Sequence, residues 1–226
     1  MKINKLYPYK KLDRQDGGGQ GRVYVDEIGN RIPSVTTILS KTKDMAHLVA
    51  WKKRIGEDKA KQITEESAGL GTTMHAHLEA YVLGEQRPGG NNYGRLMAQR
   101  MADTIIREGL IDVDEVWGVE AHLHYENLWA GTTDLVGVYQ GQPAIMDFKT
   151  TIKPKKREWV EDYQMQLTAY AMAHDSLFNT NIQTAVVFMV SRDCEFQKFV
   201  WTGTEFEEGK LKWAQRVSDY YEKHVF

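Results

Sequence analysis

The sequence predicts an α/β fold of the α+β kind, with a mixed central sheet containing an antiparallel meander and flanked by helices. Three observations carry it. Apolar residues upstream of position 110 recur at helical spacing, three short segments between 116 and 151 are rich in Val, Ile, Thr and aromatic residues, and helical spacing returns at 158–177. Helices on both sides of a run of strands bury their apolar faces by covering one shared sheet.

Residues 1–31 read as an N-terminal extension with a glycine-rich patch at 17–21, and residues 32–115 read as mainly helical. Helical spacing divides into 34–63 and 66–84; in the second part Leu70, Met74, Leu78, Tyr81 and Val82 form one apolar face. A soft segment, GEQRPGGNNYG at 84–94, precedes a polar helical stretch reaching about 110. The sheet core spans 116–203: strands VWGVEAHLHYE, GTTDLVGVYQ and PAIMDFKTT, a helix at 158–177, then strands TAVVFMVSRD and EFQKFVWTG. A C-terminal helix closes the chain within 204–226.

At 226 residues, with 42% hydrophobic and 27% charged residues, the whole of 1–226 is expected to be one domain with a real core. No apolar run approaches the roughly eighteen residues of a membrane span, and the first twenty residues lack the apolar stretch of a secretory signal. The expectation is an intracellular protein, in the cytoplasm of a bacterial or phage-infected cell, with no membrane partner. Cys194 is the only cysteine, which excludes an internal disulfide and a four-cysteine metal site built from this chain. A metal would be held by oxygen and imidazole.

The net charge of -2 gives no global argument for a polyanionic partner. Local charge does: KTTIKPKKR at 149–157 holds five cations and no acid, offering Lys153, Lys155, Lys156 and Arg157 to phosphates or to solvent. The segment at 84–94 adds Arg87 and Arg95, with Arg100 and Arg107 on the helix beyond; it reads either as an arch over a substrate strand or as a plain connection. Trp51, Trp117, Trp129 and Trp159 read as core residues, with base stacking as the alternative.

Gln140-Gly141 sits between two strand patterns, where a two-residue hairpin turn belongs. Residues facing across that turn then have numbers summing to 281, which sets Val138 opposite Pro143 and Asp134 opposite Asp147. Like charges facing each other repel unless a cation lies between them. Side chains alternate, so Lys149 shares a face with Asp147. Two acids and an ammonium on one face point to a divalent cation.

Asp134 in GTTD, Asp147 and Lys149 in IMDFKT, Gln166 and Tyr170 in QLTAY, and His75 in the upstream HAHLE together resemble the PD-(D/E)xK nucleases of the RecB-like branch. PSVTTIL at 33–39, WKKR at 51–54 and the stretch from Glu120 to Tyr170 resemble the mitochondrial genome maintenance exonucleases and their phage and bacterial relatives. The resemblance covers most of residues 32–175 and implies a restriction-endonuclease-like core. It implies His75, Asp134, Asp147 and the Phe148 carbonyl as ligands of Mg²⁺ or Mn²⁺, with Lys149 and Gln166 as catalytic residues. Glu79, Glu120 and Tyr170 are possible accessory residues: Glu79 reads either as a ligand of a second metal or as a cap on a hydrogen-bond network, and Glu120 either as part of the acidic cluster or as an ordinary strand-edge acid. His77, His122, His124, His174 and His224 read as surface or packing residues.

The expected activity is phosphodiester hydrolysis by a metal-dependent DNA exonuclease on single strands or DNA ends, in replication, repair or recombination. The alternatives are a structure-specific endonuclease on the same core and a non-catalytic nucleic-acid-binding module. The chain is expected to act as a monomer, and the sequence names no protein partner.

Overall fold

Residues 1–17 and 21–224 are described by the structure, a computed structural model; the middle of the glycine-rich patch, 18–20, and the last two positions lie outside the described residues. The central sheet has six strands in the order β1 (Lys2–Ile3), β5 (Val113–Tyr125), β6 (Trp129–Tyr139), β7 (Gln142–Thr151), β8 (Thr184–Ser191) and β9 (Phe196–Trp201). β5, β6 and β7 form the expected antiparallel meander, β7 and β8 run parallel, and β9 returns antiparallel. All eight residues of β8 are buried, which explains why TAVVFMVS reads as an unbroken apolar run: both faces of that strand are covered.

Helices cover the two faces. α1 (Val35–Thr42), α5 (Glu161–Phe178) and α6 (Gly203–His224) pack on one side around Val136, Ile145, Val187, Trp201 and Trp213. α3 (Glu57–Leu83) and α4 (Tyr93–Glu108) pack on the other around Leu135, Met146, Phe148 and Phe188. The helices at 161–178 and 203–224 lie where helical spacing places them.

Three features differ from the sequence reading. The helical stretch 34–63 breaks into α1, α2 (Ala46–Ile55) and the start of α3, because Lys43 is extended and Gly56 adopts φ 87°. α3 then runs unbroken through Thr64–Ser67, whose polar, solvent-facing turn hides the helix from an apolar-spacing test. Tyr81 is 43% exposed, so the apolar face of α3 is Leu70, Met74, Leu78 and Val82 without it. Residues 1–31 are also structured: β1 edges the main sheet, and β2 (Asp13–Asp16), β3 (Arg22–Val25) and β4 (Arg31–Pro33) form a small antiparallel sheet. That sheet packs Leu12, Tyr24 and Ile32 against Ala130 at the start of β6.

The β6–β7 turn is of type I′, with positive φ at both Gln140 (46°) and Gly141 (77°). The register is the expected one from Tyr139↔Gln142 through Leu135↔Met146, every pair summing to 281. The ladder ends there, one step before Asp134 and Asp147, so the predicted facing pair is not a rung of the sheet.

Candidate active site

Where the β6–β7 ladder stops, the next backbone donor is satisfied by a side chain. The Phe148 N–H donates to Asp134 Oδ2 at 2.5 Å. A carboxylate thus does the work of a strand carbonyl, which fixes the Asp134 rotamer and lets β6 and β7 part. Thr133 Oγ1 bridges the gap by donating to the Met146 carbonyl at 3.3 Å.

The parting opens a cleft of about 680 Å³. It is lined by His75, Glu79, Glu120, Asp134, Asp147, Phe148, Lys149, Gln166 and Tyr170, so every residue proposed for catalysis, metal binding or an accessory role meets in one place. α3 supplies one wall. Ser67, Gly71, His75 and Glu79 follow one another at four-residue spacing and present a single stripe of that helix to the cleft. α5 supplies the other, where Gln166 Nε2 donates to the Tyr170 hydroxyl at 3.2 Å, one helical turn away.

Across the sheet the acids form a row. Val119↔Leu135 and Ala121↔Thr133 are paired, which sets Glu120 level with Asp134 on one side, while Asp147 follows Met146 on the other. Glu120 has φ 48°, a left-handed conformation uncommon for glutamate. Its consequence is visible in the packing: Val119 lies against the α3–α4 core and Ala121 lies in the α5–α6 core, although residues two apart on a regular strand share a face.

Among the described residues, His75, Glu120 and Asp134 form a group whose ligand atoms lie within 4.8 Å of one another. His75 Nδ1 is 3.1 Å from Asp134 Oδ1. Asp147 is outside that group, and its carboxylate is engaged by the Lys149 ammonium. Glu120, read from sequence as an accessory acid, therefore stands closer to the His75–Asp134 pair than its strand-edge position suggests.

The protonation states follow from this crowding. Burial and then the Asp134 charge push Asp147 up to about 6. Desolvation in the cleft and the same Asp134 charge push Glu120, an exposed residue overall, up to about 7. Burial also opposes the Asp134 carboxylate, yet His75, Lys149 and the Phe148 N–H hold it below the usual range. Burial disfavours the charged His75 ring, but Asp134 and Asp147 outweigh it and raise the ring to about 9. Lys149 is likewise raised, with Asp147 and Asp134 outweighing burial. Four carboxylates share this cleft with the His75 ring, the Lys149 ammonium and the Arg14 and Arg22 guanidiniums, and the mixed oxygen and imidazole donor set of His75, Glu120 and Asp134 fits a divalent cation of the Mg²⁺ or Mn²⁺ kind.

The cations expected to meet nucleic acid divide. Lys153, Lys155, Lys156, Arg157, Arg87 and Arg95 are absent from the cleft lining. Arg157 is held by Glu205 at 2.7 Å and by the Val200 carbonyl, and Arg87 is held by Asp103 at 2.7 Å. Arg95 folds back on its own loop, donating to the Gly89 carbonyl at 2.9 Å. Of the four tryptophans weighed for stacking, Trp117 and Trp129 are buried, while Trp159 is 59% exposed with Lys156 Nζ 5.5 Å from its ring centre.

Sequence reasoning missed several lining residues. Arg14, Arg22 and Tyr24 reach the cleft from the small N-terminal sheet, whose short strands carry too little pattern to be seen. Tyr163, which carries Lys149 Nζ 5.2 Å from its ring centre, precedes Gln166 by three residues and could have been found by helical spacing.

No protein-family profile matches this chain. In sequence it is 29% identical over 215 residues to mitochondrial genome maintenance exonuclease 1 of Homo sapiens, a match covering 86% of this chain and 59% of that protein. The Mus musculus protein of the same name is 28% identical over 206 residues, covering 86% of this chain and 60% of that one. The chain thus spans about three-fifths of the length of these relatives. Among solved structures, a protein from Eubacterium rectale overlays 71% of this chain on 69% of its own with a TM-score of 0.49 and 11% identity.

Proposed function

We propose that this chain is a metal-dependent deoxyribonuclease that hydrolyses phosphodiester bonds from the ends of DNA, preferentially single-stranded. The observation that carries the reading is the meeting of His75, Glu120, Asp134, Asp147 and Lys149 in one cleft, where burial and then the Asp134 charge raise the pKa values of Asp147 and Glu120. The similarity to named exonucleases supports it.

His75, Asp134 and Glu120 would hold the cation, with Asp147 and the Phe148 carbonyl completing the set. A bound Mg²⁺ or Mn²⁺ supplies Lewis acidity at the phosphoryl oxygen and a water acidic enough to ionise near neutral pH. Asp147 holds the Lys149 ammonium in place, so that it orients the attacking water and offsets negative charge gathering on the phosphate. Gln166, tied to Tyr170, offers an amide to a phosphate or water on the opposite wall.

Digestion of end-labelled linear and covalently closed circular single strands, with Mg²⁺ or Mn²⁺ and with EDTA, tests the reading. Metal-dependent loss of the linear strand alone is expected. Nicked circles would replace the exonuclease reading with an endonuclease, and two intact substrates would remove the nuclease reading altogether.

A further inference from the structure

Beside the acidic cleft lies a smaller pocket of about 210 Å³, lined by Ser67, Leu70, Thr150, Thr151, Ile152, Lys155, Tyr163 and Arg192. It shares Ser67, Thr150 and Tyr163 with the cleft, so the two are continuous. Their charges differ. The cleft lining mixes Glu79, Glu120, Asp134 and Asp147 with His75, Lys149, Arg14 and Arg22, whereas the pocket lining has two cations, three aliphatic hydroxyls, a phenol and no carboxylate.

Arg192 is placed for an anion from outside. Its backbone N–H donates to the Thr151 carbonyl, and one guanidinium nitrogen donates to Ser67 Oγ at 3.0 Å. Among the described residues no carboxylate pairs with it, unlike Arg87 and Arg157. The Lys155 backbone is equally fixed: its N–H donates to Gln197 Oε1 at 2.7 Å and Gln197 Nε2 donates back to its carbonyl at 2.8 Å. The loop backbone is pinned, while among the described residues no side chain pairs with the Lys155 ammonium. A half-buried, pre-positioned guanidinium and an ammonium lining one hydroxyl-bearing pocket form the donor set of a phosphate site.

We propose that this pocket holds an internal backbone phosphate of the substrate strand, next to the phosphate that is cleaved. The inference rests on the nuclease reading of the neighbouring cleft and adds Arg192, on the β8–β9 connection, as a positioning residue for it. Sequence inspection had no reason to choose Arg192, which lies more than forty residues beyond Lys149.

A methylphosphonate walk tests it: single-stranded oligonucleotides, each with one phosphate made neutral, are digested by the wild type and by Arg192→Gln, Arg192→Lys and Lys155→Gln. In the wild type, one position adjacent to the scissile phosphate should raise KM about tenfold, as expected for loss of a charge-assisted contact. Arg192→Gln should raise KM of the unmodified strand similarly, lower the salt slope by about one, and abolish the extra penalty at that position; Arg192→Lys should recover part of the loss. Lys155→Gln should diminish the same position's penalty. If both variants keep the full wild-type penalty at every position, the pocket is not a phosphate site. A penalty that follows a 5′-terminal monophosphate, or competition by inorganic phosphate with no internal position affected, also overturns the proposal. If the wild type digests no strand with either metal, the nuclease reading fails, and this inference with it.

Discussion

A Cβ on residue 131 would lie 2.4 Å from Cε1 of Tyr170, so only glycine fits beneath that ring. The glycine of GTTD and the tyrosine of QLTAY, 39 positions apart, are one contact. Gly131 lets α5 close on β6 far enough for Gln166 to face the acids. Since the Tyr170 ring is buried, Gly131→Ala should cost about 1–3 kcal/mol by overpacking. Thermal or urea unfolding measures this, and adding Tyr170→Ala should restore stability above the sum of the two single changes. Additive losses would show that the contact yields without strain.

Asp134→Ala, Asp147→Ala and Lys149→Ala should each leave less than about a tenth of wild-type cleavage. Because the three act as one unit, the triple variant should be hardly worse than one single variant. Calorimetric titration with Mn²⁺ should separate the roles: Asp134→Ala loses most of its affinity and Lys149→Ala retains it. In EDTA, Asp147→Asn should be at least as stable as the wild type, since it removes a buried charge that Asp134 repels.

Glu120 combines a carboxylate with a left-handed backbone, and two variants separate these properties. Glu120→Gly removes both, and should gain about 1 kcal/mol of stability in EDTA relative to Glu120→Gln, which keeps the strained backbone. Both should bind Mn²⁺ more weakly than the wild type. Equal melting temperatures for the two variants would mean that the conformation carries no strain.

His174 governs an acid limb of stability. Burial lowers its pKa from 6.5 to about 4. Its ring lies among Tyr7, Tyr9, Trp117 and Phe178, with Nε2 2.9 Å from the Tyr9 hydroxyl and Nδ1 2.8 Å from Thr180 Oγ1. Thr180 in turn donates to Asp175, which leaves its oxygen to accept from Nδ1 and makes Nε2 the acceptor from Tyr9. The unfolded chain takes up this proton near 6.5 and the folded chain only near 4. The contribution is therefore complete above pH 6.5 and is lost as pH falls toward 4, with a slope of up to about 1.4 kcal/mol per pH unit. Urea midpoints at several pH values should show a shallower acid limb in His174→Gln. An identical slope in both proteins would place the titration elsewhere.

The hairpin was readable because two independent signals agreed: a Gln-Gly turn and two strands of matching polarity fixed one register, and five observed pairs follow it. The end of that register was not readable. Whether Phe148 bonds to a strand carbonyl or to the Asp134 carboxylate depends on how far β6 and β7 diverge, which packing from α3 and α5 decides. The left-handed Glu120 is equally hidden, since no local residue preference favours that conformation for glutamate. His75 was found by motif, but the stripe it shares with Ser67 and Gly71 was not, since an apolar-periodicity test gives small and polar residues no weight. Arg14, Arg22 and Tyr24 were lost with the N-terminal sheet, whose strands are three or four residues long.

The Phe148 amide, bonded to a carboxylate that is itself a proposed ligand, makes the centre observable by spectroscopy without substrate. Its proton resonance depends on how much negative charge remains on Asp134 Oδ2, 2.5 Å away. Titration with a divalent ion that supports no turnover should move that one signal and slow its exchange with solvent. Amides along α6 should serve as the unmoved reference, since that helix contributes no residue to the cleft. The backbone of β7 therefore carries its own gauge of site occupancy, readable in a protein held short of chemistry.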